Sequence, residues 1–157
     1  MSSKDKNLSE FAGKIPHLPH VKIGIAVSEW NEEVTFALLK GATDVLKEAG
    51  LTEESITFLQ VPGSYELILA SQKLAQRDNI DAVIAIGCVI QGETKHFDFI
   101  CNAVANGISD VNLKYDKPVI FGVLTPNTQQ QALDRAGGIH GNKGEEAAYT
   151  ALRMLTL

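Results

Sequence analysis

One segment of the sequence combines residue types that can bind an anion and transfer a proton: residues 87–100, which read GCVIQGETKHFDFI. Gly92 allows the backbone to turn tightly and to approach a ligand closely. Thr94 is predicted to open a helix, whose first amides are free and whose dipole favours a negative charge. The amides of Glu93 and Thr94, together with the Thr94 hydroxyl, are therefore predicted to hold a phosphate.

His96 is the candidate proton carrier of this segment, because it falls in the first turn of the predicted helix. The positive end of the helix dipole disfavours an imidazolium ion, so we expect a neutral ring that can accept a proton. Asp98 complements the same dipole and is predicted to orient the imidazole. A single histidine at a helix start is often an ordinary surface residue, but the strand–glycine–helix context favours a functional one.

Two further stretches carry candidate binding residues. In SEWN, Trp30 can stack on a heteroaromatic ring, although an indole can also fill a core or a subunit interface, and Asn31 is a candidate helix cap. In VPGSYE, a proline-glycine turn is predicted to present Ser64 and Glu66 near the same edge of the molecule. Glu66 can accept hydrogen bonds from a ligand, or it can serve only as a carboxylate at a helix start.

Arg135 and Lys143 are the cations around the glycine-rich stretch AGGIHGNKG. Arginine can bind phosphate in a forked geometry, although either residue alone is more often a surface charge. Cys88 and Cys101 have no zinc-like spacing to each other or to a histidine, so we predict reduced thiols and no metal site.

Short apolar runs alternate with stretches of helical periodicity along the chain. Strands are predicted at 21–27, 56–61, 82–90 and 118–124, and helices at about 32–49, 65–77, 94–114, 128–136 and 143–154. Alternation of this kind predicts parallel pairing. The expected fold is an α/β three-layer sandwich, flavodoxin-like and doubly wound, with a four-stranded parallel sheet between helices. The candidate residues follow the strands, where such sheets bind ligands.

Composition limits the possible partners. The chain has 157 residues, 45% of them hydrophobic, and a net charge of -5. We expect an arm at residues 1–20 followed by a single domain at 21–157. The negative charge argues against nucleic acid and anionic membranes. No apolar run reaches the ~20 residues of a membrane helix, and the polar first residues lack a signal-peptide core, so we expect a cytoplasmic protein.

Several of these stretches together resemble the lumazine synthase family. VPGSYE, GCVIQGETKHFDFI, FGVLTPNTQQQALDRAG and GNKGEEAA occur in the family's order and spacing, over roughly residues 21–155. The resemblance implies the penultimate step of riboflavin biosynthesis: 5-amino-6-(D-ribitylamino)uracil condenses with 3,4-dihydroxy-2-butanone 4-phosphate. The products are 6,7-dimethyl-8-ribityllumazine, phosphate and water. It implies a transferase that needs neither cofactor nor metal.

The resemblance also implies a role for each matched residue. His96 is the acid and base, and Lys143 and Asp98 support the site. The phosphate is held by Glu93, Thr94 and Arg135. The ribitylaminouracil is bound by Trp30, Asn31, Ser64, Tyr65, Glu66, Cys88, Val89, Ile90 and Phe121.

The sequence departs from the family pattern at three places. Trp30 stands where phenylalanine is usual, and Ser64 and Tyr65 replace a frequent alanine and phenylalanine. Gln91 stands where arginine or lysine is common, so one positive charge near the phosphate is missing and more depends on Arg135.

The resemblance implies a homo-oligomer with active sites between neighbouring subunits. We expect a homopentamer as the unit and leave open a 60-subunit icosahedral capsid. Two alternatives on the same fold are a non-catalytic protein that binds flavin or pyrimidine and a shell-forming protein, because a fold alone does not determine function.

Overall fold

Four parallel strands form the centre of the computed structural model, which describes residues 15–157. Their spatial order is β2-β1-β3-β4. The strands are β1 (Ile23–Ser28), β2 (Ile56–Val61), β3 (Ala82–Cys88) and β4 (Val119–Leu124). Each is a short, largely apolar run, as expected for strands that are covered on both faces.

Helices cover both faces of this sheet. They are α1 (Glu32–Glu48), α2 (Leu67–Ala75), α3 (His96–Tyr115), α4 (Gln129–Leu133) and α5 (Lys143–Met154), with a short 3-10 helix at Glu53–Ser55. The apolar sides of α1 and α5 pack on one face, and those of α2 and α3 pack on the other. The predicted three-layer, flavodoxin-like α/β sandwich is therefore confirmed.

The two central strands make the sheet a rigid frame. Every residue of β1 and β3 is buried. Ile84 and Ile86 point into one core, and Val83 and Ala85 point into the other. Full burial of a large aliphatic side chain stabilises a fold by about 1.5–3 kcal/mol. The loops at the carboxyl ends of the strands therefore extend from fixed positions.

Two helices begin later than the sequence predicts. Helix α2 starts at Leu67 rather than near Tyr65, because a proline-glycine turn and a further turn through Glu66 precede it. Helix α3 starts at His96 rather than at Thr94. The residues between strand and helix are thus held in loops.

A short hairpin replaces the end of the fourth predicted helix. Helix α4 stops at Leu133, and β5 (Ala136–Gly138) pairs antiparallel with β6 (Gly141–Asn142). Gly137 has φ 113° and Gly141 has φ 71°, in the left-handed region that glycine adopts without steric cost. The glycines therefore reverse the chain sharply between Arg135 and Lys143.

The predicted arm at residues 1–20 lies mostly outside the described residues. Its last part packs on the end of α1, where the Leu18 amide donates to the Ala49 carbonyl oxygen at 2.9 Å. Ile15 and Leu18 join the core beneath α1. Within residues 15–157, no helix is long and apolar enough to cross a membrane.

Candidate active site

Hydrogen bonds join the loops that follow the four strands. The Glu29 amide donates to the Val61 carbonyl oxygen at 2.8 Å, and the Trp30 amide donates to that of Pro62 at 3.0 Å. On the other side, the Gln91 amide donates to the Pro126 carbonyl oxygen at 3.0 Å. The carboxyl edge of the sheet is therefore one connected surface.

Asn31 links two of these loops, and it does so through its side chain. Its Nδ2 donates to the Cys88 carbonyl oxygen at 2.9 Å. The prediction that Asn31 caps α1 is wrong for the side chain: the residue precedes the helix with φ 62°, and its side chain makes no capping bond. The amide has turned across the sheet edge instead.

Two aromatic rings stand exposed on this edge. Trp30 is 73% exposed and Tyr65 is 53% exposed. Exposed large aromatic rings on adjoining loops are suited to stacking on a planar ligand or to contact with another chain. Both rings lie where the sequence places them.

Ser64 and Glu66 differ in how they meet this surface. The Glu66 carboxylate is exposed and lies over Gly63, where an added Cβ would be 3.0 Å from Oε2. Ser64 is buried, and its hydroxyl has no partner among the described residues. That hydroxyl lies against Gly87, where a Cβ would be 2.7 Å away. The Ser64 hydroxyl is therefore turned towards the sheet, whereas the Glu66 carboxylate is exposed at its edge.

The predicted phosphate-binding residues lie in the loop before α3. The amides of Glu93 and Thr94 have no acceptor within residues 15–157, and both residues are exposed. The Thr94 hydroxyl accepts a long hydrogen bond, 3.4 Å, from the His96 amide. The helix does not begin at Thr94 as predicted, but free amides and the hydroxyl remain together just before it.

His96 is exposed at the first position of α3. Asp98 lies two residues further, in the first turn, where its charge complements the dipole. In the described chain no hydrogen bond joins the Asp98 carboxylate to the His96 ring. We call this region the edge site, formed by Trp30, Ser64, Tyr65, Glu66, Cys88, Val89, Ile90, Glu93, Thr94 and His96.

The remaining predicted residues lie elsewhere. Phe121, Arg135 and Lys143 line a groove of about 700 Å³ along β4, one of the two outer strands of the sheet. None of the residues that line this groove belongs to 28–31, 61–66 or 88–98. One chain therefore brings the predicted site residues together in two groups, the edge site and the groove.

An ion pair inside the groove was missed by sequence reasoning. Lys143 Nζ forms a short contact with Glu146 Oε1, and the two side chains are only 16% and 11% exposed. The available signal was the spacing of three residues in α5, which puts both side chains on one face of the helix. Arg135 differs from Lys143: its guanidinium donates to the Gln131 carbonyl oxygen at 3.0 Å and pairs with no carboxylate within residues 15–157.

Cys88 forms part of the floor of the edge site but is chemically protected. Burial raises the pKa of its thiol to about 12, with a smaller contribution from Cys101. A thiol with so high a pKa carries almost no thiolate at neutral pH. This fits the predicted reduced, structural role. Among the described residues, no group of three or more His, Cys, Asp or Glu side chains is placed to hold a metal ion.

Comparison with known proteins shows the family of the chain. The sequence profile of the 6,7-dimethyl-8-ribityllumazine synthase family matches residues 20–157. The chain belongs to this family. The lumazine synthase of Cytophaga hutchinsonii is 60% identical over 155 residues, which cover 99% of this chain and 98% of that protein. The enzyme of Flavobacterium johnsoniae is 52% identical over 98% of this chain and 82% of its own length.

These similarities confirm the family that the sequence motifs suggested. They also confirm the expected enzyme class, a transferase of riboflavin biosynthesis that forms dimethylribityllumazine. They give no support to the alternative of a non-catalytic binding protein.

Proposed function

We propose that this member of the lumazine synthase family works at a site completed by two copies of the chain. The reaction joins 5-amino-6-(D-ribitylamino)uracil to 3,4-dihydroxy-2-butanone 4-phosphate and releases phosphate and water. The edge site of one copy faces the groove of the next. The observation that carries this proposal is the division of the predicted site residues into two groups.

The edge site is suited to the ring substrate. Trp30 and Tyr65 offer exposed aromatic faces on which a pyrimidine can stack. The exposed Glu66 carboxylate accepts hydrogen bonds from hydroxyl groups of the ribityl chain. A groove of a second copy, with Phe121 exposed in it, closes over the opposite face of the ring. Each half alone leaves the ring open to water.

Phosphate is held from both sides of the interface. The free amides of Glu93 and Thr94 and the Thr94 hydroxyl bind its oxygens from the edge site. Arg135 of the adjoining copy supplies the counter-charge, because the Lys143 charge is already matched by Glu146. Gln91 is neutral and exposed and adds no charge, so the guanidinium carries most of the compensation.

His96 moves the protons. The substrate amine attacks the ketone, an imine forms, phosphate is eliminated, and a second carbonyl closes the ring. Each step transfers protons, and a histidine next to the phosphate position can serve several of them. Most of the rate enhancement comes from holding two small molecules together in one orientation.

Assembly is then a condition of activity. We infer a cytoplasmic homopentamer built from the domain at 21–157. A 60-subunit capsid is the larger alternative, and light scattering separates the two by particle size. A monomer with full activity would refute the shared site.

The direct test is to mix the two substrates with the purified chain and record the fluorescence of the lumazine product. We expect product without any added metal or cofactor. If no lumazine fluorescence appears although the pyrimidine still binds, the result would instead favour the non-catalytic alternative.

A further inference from the structure

Asn31 has two unusual features at once. Its backbone is left-handed, with φ 62° and ψ 45°, a conformation that asparagine tolerates better than most residues. Its half-buried side chain reaches from the end of β1 to the end of β3. A residue that only led into α1 would need neither feature.

The hydrogen bond from Asn31 engages one peptide group of the edge site, the peptide between Cys88 and Val89. The carbonyl oxygen of the Cys88–Val89 peptide accepts from Asn31 Nδ2 at 2.9 Å. The N–H of the same peptide donates to the Leu124 carbonyl oxygen at 2.8 Å. This peptide is held at both ends and has no group left for a ligand's ring.

The next peptide, between Val89 and Ile90, has both of its hydrogen-bonding groups free within residues 15–157. Neither the Val89 carbonyl oxygen nor the Ile90 N–H has a hydrogen-bond partner within residues 15–157, and both residues are half-buried. The Gln91 amide that follows is again engaged, by Pro126. One free peptide therefore lies between anchored neighbours. A peptide offers one donor and one acceptor, and a pyrimidinedione ring presents both kinds of group.

We propose that Asn31 is a positioning residue: by holding the Cys88 carbonyl, it fixes the Val89–Ile90 peptide in the orientation that binds the ring substrate. This replaces the expectation that the Asn31 amide itself binds substrate. The inference rests on the proposed function for the identity of the ring. The anchoring of the peptide stands independently of it.

Three substitutions separate the backbone of Asn31 from its amide. Asn31→Gly keeps the left-handed conformation at no steric cost and removes the donor. Asn31→Asp keeps size and shape but points a carboxylate oxygen at the Cys88 carbonyl. Asn31→Ala loses the donor and is also strained at φ 62°. Glu29→Ala is the matched control in the same loop, because the exposed Glu29 side chain makes no hydrogen bond or ion pair within residues 15–157.

Steady-state kinetics with each substrate varied in turn gives the first result. In Asn31→Gly we expect the KM for the aminopyrimidine to rise about three- to tenfold, the effect of one neutral hydrogen bond. We expect kcat to change less, because the peptide binds ring and transition state alike. The KM for the butanone phosphate should stay within twofold of wild type, since the phosphate-binding residues Glu93 and Thr94 follow Gln91 and do not belong to this peptide.

Asn31→Asp should show at least the same change as Asn31→Gly, and Asn31→Ala should have the lowest melting temperature of the three. A wild-type KM for the aminopyrimidine in Asn31→Gly would overturn the proposal. So would an equal rise of both KM values, because that result indicates general damage to the site.

Hydrogen–deuterium exchange of the substrate-free protein supplies a second readout. We expect faster exchange of the Val89 amide in Asn31→Gly and Asn31→Asp, but not in Glu29→Ala. If wild type makes no lumazine, the proposed function fails, while this exchange still decides whether Asn31 anchors the peptide. Unchanged exchange at Val89 would overturn the proposal in either case.

Discussion

The edge site and the groove differ in how many of their polar and aromatic groups are already paired or covered within a single chain. In the edge site, Trp30 and Tyr65 are exposed, and the amides near Thr94 have no acceptor among the described residues. In the groove, the mostly covered side chains of Lys143 and Glu146 form an ion pair. The edge site is therefore open, whereas in the groove the charge of Lys143 is already paired and that of Arg135 is not.

This contrast has a physical reason. A developing or transferred charge is best stabilised by groups fixed before the reaction, with water excluded. The groove supplies a fixed wall built on a strand and a helix. The edge site supplies reactive groups on loops above a rigid sheet. In the proposed shared site, the groove of one copy covers the edge site of another, and this contact would exclude water from both.

The largest expected effect comes from Arg135, the groove cation without a carboxylate partner. Arg135→Ala should lower kcat/KM for the butanone phosphate about 10²- to 10³-fold, the usual cost of removing one fixed donor from an anion in a closed site. Arg135→Lys, which keeps the charge but loses the forked geometry, should recover part of the loss. Equal activity of Arg135→Ala and wild type would show that the groove is not part of the active site.

A smaller effect is expected on the open side. His96→Ala should slow product formation about 10- to 100-fold, at or below the lower limit of what a general acid–base group usually contributes. Activity should persist, because orientation of the two substrates is unaffected. Complete loss of product formation with both substrates still bound would show that proton transfer, rather than orientation, dominates the rate.

The smallest effect on catalysis, but a clear one on stability, is expected at Glu146. Glu146→Gln leaves the mostly covered Lys143 ammonium without its carboxylate partner, which should lower the free energy of unfolding by about 1.5–3 kcal/mol, the usual contribution of a hydrogen bond to a charged group. Glu93→Gln, an exposed carboxylate of the edge site, is the matched comparison and should change stability by about 0.5 kcal/mol or less. Denaturant unfolding measures the free energy of unfolding of both variants. Equal losses would contradict the difference in charge pairing between the groove and the edge site.

Much of this arrangement follows from local sequence patterns. The continuous apolar run around Ile84 predicts a buried strand from local sequence alone. Parallel sheets bind ligands at the carboxyl ends of their strands, which places Trp30 and His96 at one edge. Motif spacing alone was enough to indicate the family.

Other features depend on contacts between distant parts of the chain, which no local pattern contains. Asn31 looked like a cap, because asparagine at a helix start usually is one, yet its amide bonds a strand 57 residues away. The burial of Ser64 was not predicted either: the absence of a side chain at Gly87 lets its hydroxyl pack inward. The hairpin after Leu133 depended on how its glycines bend the chain.

Subunit complementation tests the shared site most directly. The variants His96→Ala and Arg135→Ala are co-assembled at equal amounts, and lumazine formation is compared with that of each variant assembled alone. If each site pairs the edge site of one copy with the groove of another, about one quarter of all sites in the mixed assembly recover both residues. Activity should then rise to roughly a quarter of the wild-type value. Activity that remains at the mean of the two variants would show that both residues serve a site within one chain, and would contradict the account.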